Sequence, residues 1–242
     1  MLENKKTNPL AVITGGTKGI GKACIERFLK EGFDVVTCAR NEDDLLELKK
    51  EMDSAFTKSE LFFQKCDLSI RADLDTFVIF INSMHRAVDV LINNTGIFIP
   101  GQVHNEEEGV LEKTIETNLF SAYHMTRGVI SEMMNQRKGH IFTICSTASI
   151  TAYPNGGSYC ISKFALFGMT KVLREEMKPY GIKVTAILPG ATFTDSWKGT
   201  ELPVERFMDS KDIADSIFAA YSLSPRAVIE EILIRPQLGD LD

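Results

Sequence analysis

Tyr159 and Lys163 are residues whose types and spacing could carry out a proton transfer. They lie four residues apart in the segment "SYCISK" (158–163), so on a helix both side chains occupy one face. A free tyrosine has a pKa of about 10, too high for an efficient acid or base near neutrality, and a nearby ammonium group lowers that pKa by stabilising the phenolate. The pair is therefore a candidate for proton transfer. The spacing leaves open the alternative that the tyrosine only packs at the start of a helix.

Ser146 is the candidate partner of this pair. It directly follows the apolar run "HIFTIC" (140–145), and a hydroxyl at the end of a strand could donate a hydrogen bond to a carbonyl oxygen and stabilise the alkoxide charge that develops there. The whole stretch 139–162 lacks Asp, Glu, Lys and Arg. The absence of other charges protects the local field around a reacting group.

The loop "TGGTKGIGKA" (14–23) is a candidate phosphate-binding turn. It follows an apolar strand and runs into a helical pattern near Ile20; its glycines let a pyrophosphate approach the backbone, and the helix N-terminus presents free N–H groups. A loop for Mg-ATP needs Ser or Thr after Lys22 to ligate the metal, and Ala23 stands there. The sequence favours a dinucleotide over ATP. A glycine-rich turn without a ligand remains the alternative.

The end of the second predicted strand indicates which dinucleotide is bound. Units that prefer NAD place an acid there, whereas "VVTCARN" (35–41) has Ala39 and Arg40. A guanidinium pairs with a 2′-phosphate, and Lys18 could add a second positive charge with no opposing acid. This pattern predicts NADP(H), although either cation could be an ordinary solvated side chain.

Composition limits the classes of function. The chain has 242 residues, 44% of them hydrophobic, and a formal charge of −6 from 27 basic and 33 acidic residues. This balance argues against a nucleic-acid or anionic-membrane surface and favours a small-molecule partner. Five widely spread cysteines indicate neither a disulfide framework nor a zinc or other metal site, but buried thiols in a reducing cytoplasm. The N-terminal segment has no apolar run typical of a signal peptide.

Predicted strands and helices alternate along the chain, and they must position the candidate site residues. Short β-branched runs typical of strands occur at 10–14, 34–38, 61–66, 89–94, 140–145, 183–188 and 230–235. Helical periodicity separates them at 20–31, 42–52, 73–84, 109–136, 158–177 and 211–222. This alternation predicts an α/β fold, a doubly wound Rossmann-type parallel sheet of about seven strands with helices on both faces. We expect one domain over 1–242, with a short substrate lid around 192–210.

In this order and spacing, the motifs resemble the short-chain dehydrogenase/reductase family in its one-domain branch, over residues 10–235. The matching segments are "TGGTKGIG" (14–21), "CDLS" (66–69), "NNTG" (93–96), "TNLFSAYHMTR" (117–127), "ICSTAS" (144–149), "YCISK" (159–163) and "LPGATFT" (188–194). Thr95 replaces the alanine that is usual in the third motif. The C-terminal end lacks the consecutive glycines typical of 3-oxoacyl carrier-protein reductases and, with "PGATFTDSWKG" (189–199), resembles bacterial sepiapterin-reductase-like carbonyl reductases.

The resemblance implies a role for each matching residue. Tyr159 would protonate a carbonyl oxygen as hydride arrives from the nicotinamide, Lys163 would lower the pKa of Tyr159 and bind the nicotinamide ribose, and Ser146 would hold the substrate oxygen. Asn118 would anchor a water that relays protons to the lysine. The implied cofactor-binding residues are Gly15, Thr17, Lys18, Gly19, Ile20 and Gly21 in the phosphate loop, Arg40 for the 2′-phosphate, Asp67 at adenine, Asn94 and Gly96 on the adenosine ribose side, Tyr159 and Lys163, and Pro189, Gly190 and Thr194 at the carboxamide.

These observations predict an NADPH-dependent reductase of a small ketone, diketone or pterin-like carbonyl compound. The predicted substrate wall is apolar and aromatic, formed by Phe98, Ile99, Tyr153, Phe193 and Trp197. The helix predicted at 158–177 is apolar on more than one face, and the family often pairs this helix, so a homodimer or homotetramer is expected. A 3-oxoacyl thioester reductase, a secondary-alcohol dehydrogenase and a non-catalytic NADP-binding regulator are the alternatives.

Overall fold

The strands pair in parallel throughout and form one sheet. The structure is a computed structural model and describes residues 8–197 and 199–240. Within these residues, seven strands lie in the order β3-β2-β1-β4-β5-β6-β7. Their bounds are β1 Leu10–Thr14, β2 Asp34–Ala39, β3 Leu61–Lys65, β4 Val90–Asn93, β5 Gly139–Ile144, β6 Ile182–Pro189 and β7 Glu231–Ile234. Each lies within two residues of its predicted run, and the predicted fold class is confirmed.

Helices connect the strands, with one departure from prediction. The bounds are α1 Gly19–Lys30, α2 Glu42–Ala55, α3 Arg71–Ser83, α4 Val110–Ile115, α5 Ser121–Gln136, α6 Gly157–Met177 and α7 Ser210–Tyr221. The single helix predicted over 109–136 is instead divided by a π-helical turn at Glu116–Phe120. A π turn adds a residue to the helical repeat. Because an apolar pattern tolerates that shift, periodicity alone does not reveal it.

Hydrophobic cores cover both faces of the sheet. Successive strand residues point to opposite faces, so Ala11 and Ile13 of β1 join one core while Leu10 and Val12 join the other. The first core is closed by α1, α2 and α7, and the second by α3, α5 and the end of α6. This double covering explains why the buried strands read as near-continuous apolar runs.

The sheet has a topological switch point at β1. Its neighbours are β2 on one side and β4 on the other, so the chain leaves β1 and β4 in opposite directions. A crevice opens at the carboxyl ends of strands where this occurs, and ligands of such sheets bind there.

Within the described residues, no helix is both long and apolar enough to cross a membrane.

The predicted lid leaves β6 and returns to α7. It contains two short 3-10 turns, Asp195–Trp197 and Val204–Arg206. Its ends are fastened together, because Phe193 N donates to Met208 O at 2.9 Å and Met208 N donates to Ala191 O at 3.0 Å. The segment therefore forms a closed loop at the carboxyl edge of the sheet.

Candidate active site

The glycine loop is built around positions that exclude side chains. A Cβ at Gly21 would lie 2.3 Å from the carbonyl oxygen of Gly15, and one at Gly16 would lie 2.2 Å from Thr37 Oγ1. Gly15 itself has φ +68°, a left-handed conformation that favours glycine. The N-cap of α1, Lys18, makes no side-chain cap hydrogen bond, and the first turn has no acidic residue. The loop and helix end therefore fit an anionic pyrophosphate.

Asn94 fastens this loop to the end of β4. Its Nδ2 donates to the carbonyl oxygens of Thr14 at 2.8 Å and Gly15 at 3.1 Å. In the opposite direction, Thr14 Oγ1 accepts from the backbone N–H groups of Asn94 and Thr95, at 2.9 and 3.1 Å. The amide predicted to contact the adenosine ribose is thus engaged in holding the backbone of the phosphate loop.

Tyr159, Ser146 and Lys163 come together at the carboxyl end of β5. Ser146 follows that strand, and its Oγ accepts from Ala148 N at 3.1 Å. Tyr159 lies in the first turn of α6, and Lys163 lies one turn further on, with its Nζ 5.8 Å from the centre of the Tyr159 ring. The lysine is 4% exposed, and its Nζ donates to Ile144 O at 2.8 Å. The stretch 139–162, which has no charged residue, therefore lies around the buried amine of Lys163.

Burial controls the protonation of Tyr159 and Lys163. It raises the pKa of Tyr159 above its ordinary value, more than a hydrogen bond with Ser146 lowers it. It also lowers the pKa of Lys163 to about 8. The Tyr–Lys spacing predicts a lowered tyrosine pKa, and the structure gives the opposite direction because desolvation of the phenol dominates. Tyr159 is therefore protonated near neutrality, the form a proton donor needs.

Asn118 lies in the π turn and links three segments. Its Oδ1 accepts from Ile97 N at 2.7 Å, and its Nδ2 donates to Ile97 O at 3.0 Å and to Ser162 Oγ at 2.9 Å. A Cβ at Gly96 would lie 3.4 Å from Asn118 Oδ1 and 3.5 Å from Lys163 Nζ. The residues after β4, the π turn and α6 therefore meet around the buried lysine.

Lys18 has acidic partners that the sequence analysis did not anticipate. Its Nζ lies 3.2 Å from Asp44 in the first turn of α2 and 3.6 Å from Asp195 in the lid, and both carboxylates raise the pKa of Lys18. The prediction of two cations without an opposing acid is wrong in this respect. All three side chains are substantially exposed, so these pairs are weak. Arg40, just after β2, is exposed at the same end of the sheet.

The other predicted cofactor residues border the same edge. A Cβ at Gly19 would lie 2.9 Å from Thr194 Cγ2, so the start of the lid rests on the phosphate loop. Thr17 is half-buried in that loop, while Ile20 packs against the core beneath α1. Gly190 continues from Pro189, the last residue of β6, and its N–H donates to Ile234 O at 2.8 Å.

Asp67 is held within its own turn. Its Oδ1 accepts from Ser69 N at 3.0 Å and from Ser69 Oγ at 2.7 Å, and its own N–H donates to Asp73 Oδ2 at 3.1 Å. The turn follows β3, next to the end of β2. This places the residue predicted to contact adenine at the outer end of the crevice.

Aromatic side chains lie around the tyrosine and in the lid. The Phe98 ring meets the Tyr159 ring edge-on, with centroids 4.9 Å apart. In the lid, Phe207 contacts both Phe193 and Trp197, with centroids 5.6 and 4.9 Å apart. Phe98, Tyr153 and Phe193 are each exposed by 40 to 45%. These rings offer apolar surface on two sides of the site.

Glu106 is a site residue that the sequence analysis missed. Its Oε1 accepts from Ser158 N at 2.8 Å, beside Tyr159. In the sequence it belongs to "NEEEG" (105–109), which is typical of a solvated loop. Its place against α6 depends on a contact between residues more than fifty positions apart, which no local pattern signals.

A glycine-rich turn at the switch point of a doubly wound sheet is the feature by which dinucleotide-binding enzymes of this fold hold their cofactor. A family profile described as "short chain dehydrogenase" matches residues 9–203. The chain belongs to the short-chain dehydrogenase family.

Individual relatives agree with this assignment. The chain is 29% identical over 240 residues to a sepiapterin reductase from Chlorobaculum tepidum, covering 96% of this chain and 98% of that protein. A metagenomic short-chain oxidoreductase solved in complex with NADP is similar in structure, with a TM-score of 0.83 and 27% identity over 96% of this chain and 98% of the other. An actinorhodin polyketide ketoreductase solved with NADPH has a TM-score of 0.86 and 25% identity over 97% and 98% of the two chains.

Proposed function

We propose that the protein reduces a small carbonyl compound with NADPH, using Tyr159 as the general acid. The observation that carries this proposal is the convergence of Tyr159, Ser146 and Lys163 beside the phosphate loop. Burial favours the protonated phenol, and Ser146 is its hydrogen-bond partner. A protonated tyrosine next to a second hydroxyl donor suits a carbonyl oxygen that gains negative charge.

The described residues fit a bound dinucleotide. Gly15, Gly16 and Gly21 let the loop pack tightly against its neighbours at the N-terminus of α1, where a pyrophosphate would bind. Lys163 would bind the nicotinamide ribose, Arg40 the 2′-phosphate, and Thr194 the carboxamide end. When bound, NADPH supplies the hydride.

Side chains of the protein donate the proton that the carbonyl oxygen gains and replace it afterwards. Tyr159 donates its phenolic proton to the carbonyl oxygen, while Ser146 Oγ donates a hydrogen bond to the same oxygen. The ammonium of Lys163 stabilises the phenolate left behind, and Asn118 anchors the route by which the proton is replaced.

Arg40 is expected to confer preference for NADPH. In Arg40→Ala, we expect the Kd for NADPH to rise about tenfold while the Kd for NADH stays unchanged, because only NADPH carries the phosphate that a guanidinium pairs with. Fluorescence titration with both cofactors measures this. Lys30→Ala, another exposed cation, is the control. An equal loss for the two cofactors would show that Arg40 does not read the phosphate.

The aromatic surroundings support a planar or apolar substrate. Phe98 lies on Tyr159, and the lid contributes Phe193 and Trp197. The similarity to a sepiapterin reductase over nearly the full length supports a pterin-like ketone within this class. The same proton-transfer group would also serve a 3-oxoacyl thioester or a secondary alcohol, which are the alternatives to be compared.

NADPH oxidation at 340 nm against sepiapterin, diketones, aromatic ketones and acetoacetyl thioesters tests the function. Turnover of a diketone or pterin is the expected result. Preferential turnover of the thioester would replace the proposed substrate class while keeping the chemistry. Tight NADPH binding without turnover of any compound would contradict the reductase and favour a regulator.

We propose one domain with a lid over 192–210, and a homodimer or homotetramer through α6. On that helix Ile161, Phe164 and Val172 are exposed by 44, 46 and 58%, more apolar surface than a helix facing only water needs. A cytoplasmic location is proposed from the five free, buried cysteines.

A further inference from the structure

Glu106 makes an unusual contact at the start of the catalytic helix. It lies between β4 and α4, yet its Oε1 accepts from Ser158 N at 2.8 Å and its Oε2 accepts a short hydrogen bond from Ser158 Oγ. Ser158 is 1% exposed and directly precedes Tyr159. Both carboxylate oxygens of Glu106 therefore accept hydrogen bonds from Ser158.

The contact occupies a slot formed by two glycines. A Cβ at Gly157 would lie 1.9 Å from Glu106 Oε1, and one at Gly101 would lie 2.6 Å from Glu106 Cγ. No other residue type fits at either position without moving the carboxylate. The backbone of α6 and the segment before Glu106 are shaped around this side chain.

The carboxylate replaces a missing helix cap. The first N–H groups of a helix have no partner within it, and a side chain at the N-cap normally accepts from one of them. The N-cap of α6 is Gly156, which has no side chain to do so. Glu106 supplies the acceptor from a distant segment, and its negative charge lies at the positive end of the helix dipole.

The same segment carries the substrate wall. Phe98, at its start, lies on the Tyr159 ring. Between Phe98 and Glu106, Gly101 N donates to Asn155 O at 3.1 Å and Gln102 Nε2 donates to Asn155 Oδ1 at 2.9 Å. The segment 98–106 is therefore fastened to the residues that lead into α6 at several points, and Glu106 is its charged anchor.

We infer that Glu106 is a positioning residue, which fixes the first turn of α6 and thereby holds Tyr159 at a set distance from the wall segment 98–106. This inference rests on the proposed role of Tyr159 in proton transfer. Glu106 does not touch the reacting atoms. It acts on the rate through the placement of the phenol, because small displacements of a reacting group carry a large kinetic cost.

Glu106→Gln tests the inference, with Glu107→Gln as the matched control on an exposed neighbour. Glutamine keeps the shape but is neutral and has one acceptor oxygen, so its amide nitrogen can meet Ser158 Oγ only as a donor, and both charge-assisted bonds to Ser158 are lost. We expect faster amide hydrogen exchange across 156–163 and a kcat about tenfold lower, with the KM for NADPH unchanged. Glu107→Gln should leave exchange and kcat as in the wild type.

A double-mutant cycle with Ser158→Ala separates positioning from a general loss of stability. If Glu106 acts through Ser158, the double variant loses no more kcat than the more impaired single variant. Additive losses, or wild-type exchange across 156–163 in Glu106→Gln, would overturn the inference. Exchange needs no substrate: loss of protection in Glu106→Gln without turnover by the wild type would refute the proposed function and leave Glu106 as the anchor of α6.

Discussion

Tyr159→Phe is expected to lower kcat for carbonyl reduction by about 10³-fold while the fold and the affinity for NADPH are retained. Phenylalanine keeps the ring that packs against Phe98, at a centroid distance of 4.9 Å, and removes only the hydroxyl. Without that hydroxyl, no protein group is placed to give a proton to the carbonyl oxygen, and Ser146 can only donate a hydrogen bond. The loss should therefore fall on kcat and not on cofactor binding.

Single-turnover oxidation of NADPH at saturating substrate measures this effect, and circular dichroism and NADPH titration check fold and binding. Ser146→Ala is the comparison variant: it removes a hydrogen bond to the substrate oxygen and should cost about 10²-fold, less than the loss of the proton donor. A Tyr159→Phe variant that turns over as fast as the wild type would show that the proton comes from elsewhere, and the proposed mechanism would fall.

The sheet could be predicted closely because its strands are buried on both faces. Runs such as 10–14 and 183–188 are mostly apolar, with Thr14, Lys183 and Thr185 as their polar members, and in the structure they are β1 and most of β6. The helix predicted as one unit over 109–136 shows what the sequence pattern does not reveal. Its π turn is specified by contacts of Asn118 with Ile97 and Ser162, which lie 21 and 44 positions away.

The site was predictable where one segment carries its own geometry. The glycines of 15–21 and the pair Tyr159 and Lys163 are close in sequence, so their spacing already implies their arrangement. The missed features all join distant segments: Asp195 to Lys18, and Glu106 to Ser158. The direction of the Tyr159 pKa depends on burial, which spacing does not report.

Lys163→Met is expected to lower kcat at least about 10²-fold and to stabilise the folded protein near neutrality. Burial lowers the pKa of Lys163 from 10.5 to about 8, so the folded state disfavours the charged amine. Because the folded-state pKa is the lower one, the stability associated with this group is present above the unfolded pKa of 10.5 and is lost as pH falls through about 8. Below that pH, the cost is on the order of 3 kcal/mol.

Methionine fills a similar volume without a charge to bury. It also leaves Ile144 O without the hydrogen bond it accepts at 2.8 Å, which offsets about 1 kcal/mol of the gain. Urea unfolding at pH 7 should therefore show the variant more stable than the wild type by about 2 kcal/mol, and the difference should shrink as pH approaches the unfolded pKa. The variant should lack the rise in stability with pH that the wild type shows.

In the same variant, catalytic activity should fall although the stability rises. Lys163→Met removes both the ammonium that stabilises the Tyr159 phenolate and the group proposed to bind the nicotinamide ribose, so kcat should fall at least about 10²-fold and the Kd for NADPH should rise. Leu166→Met, a buried substitution one turn along α6, is the control for repacking. A Lys163→Met variant that is less stable at pH 7 would mean that the buried lysine is compensated by its surroundings. The combination of higher stability and lost turnover would instead show that a buried charge is kept for catalysis at the expense of the fold.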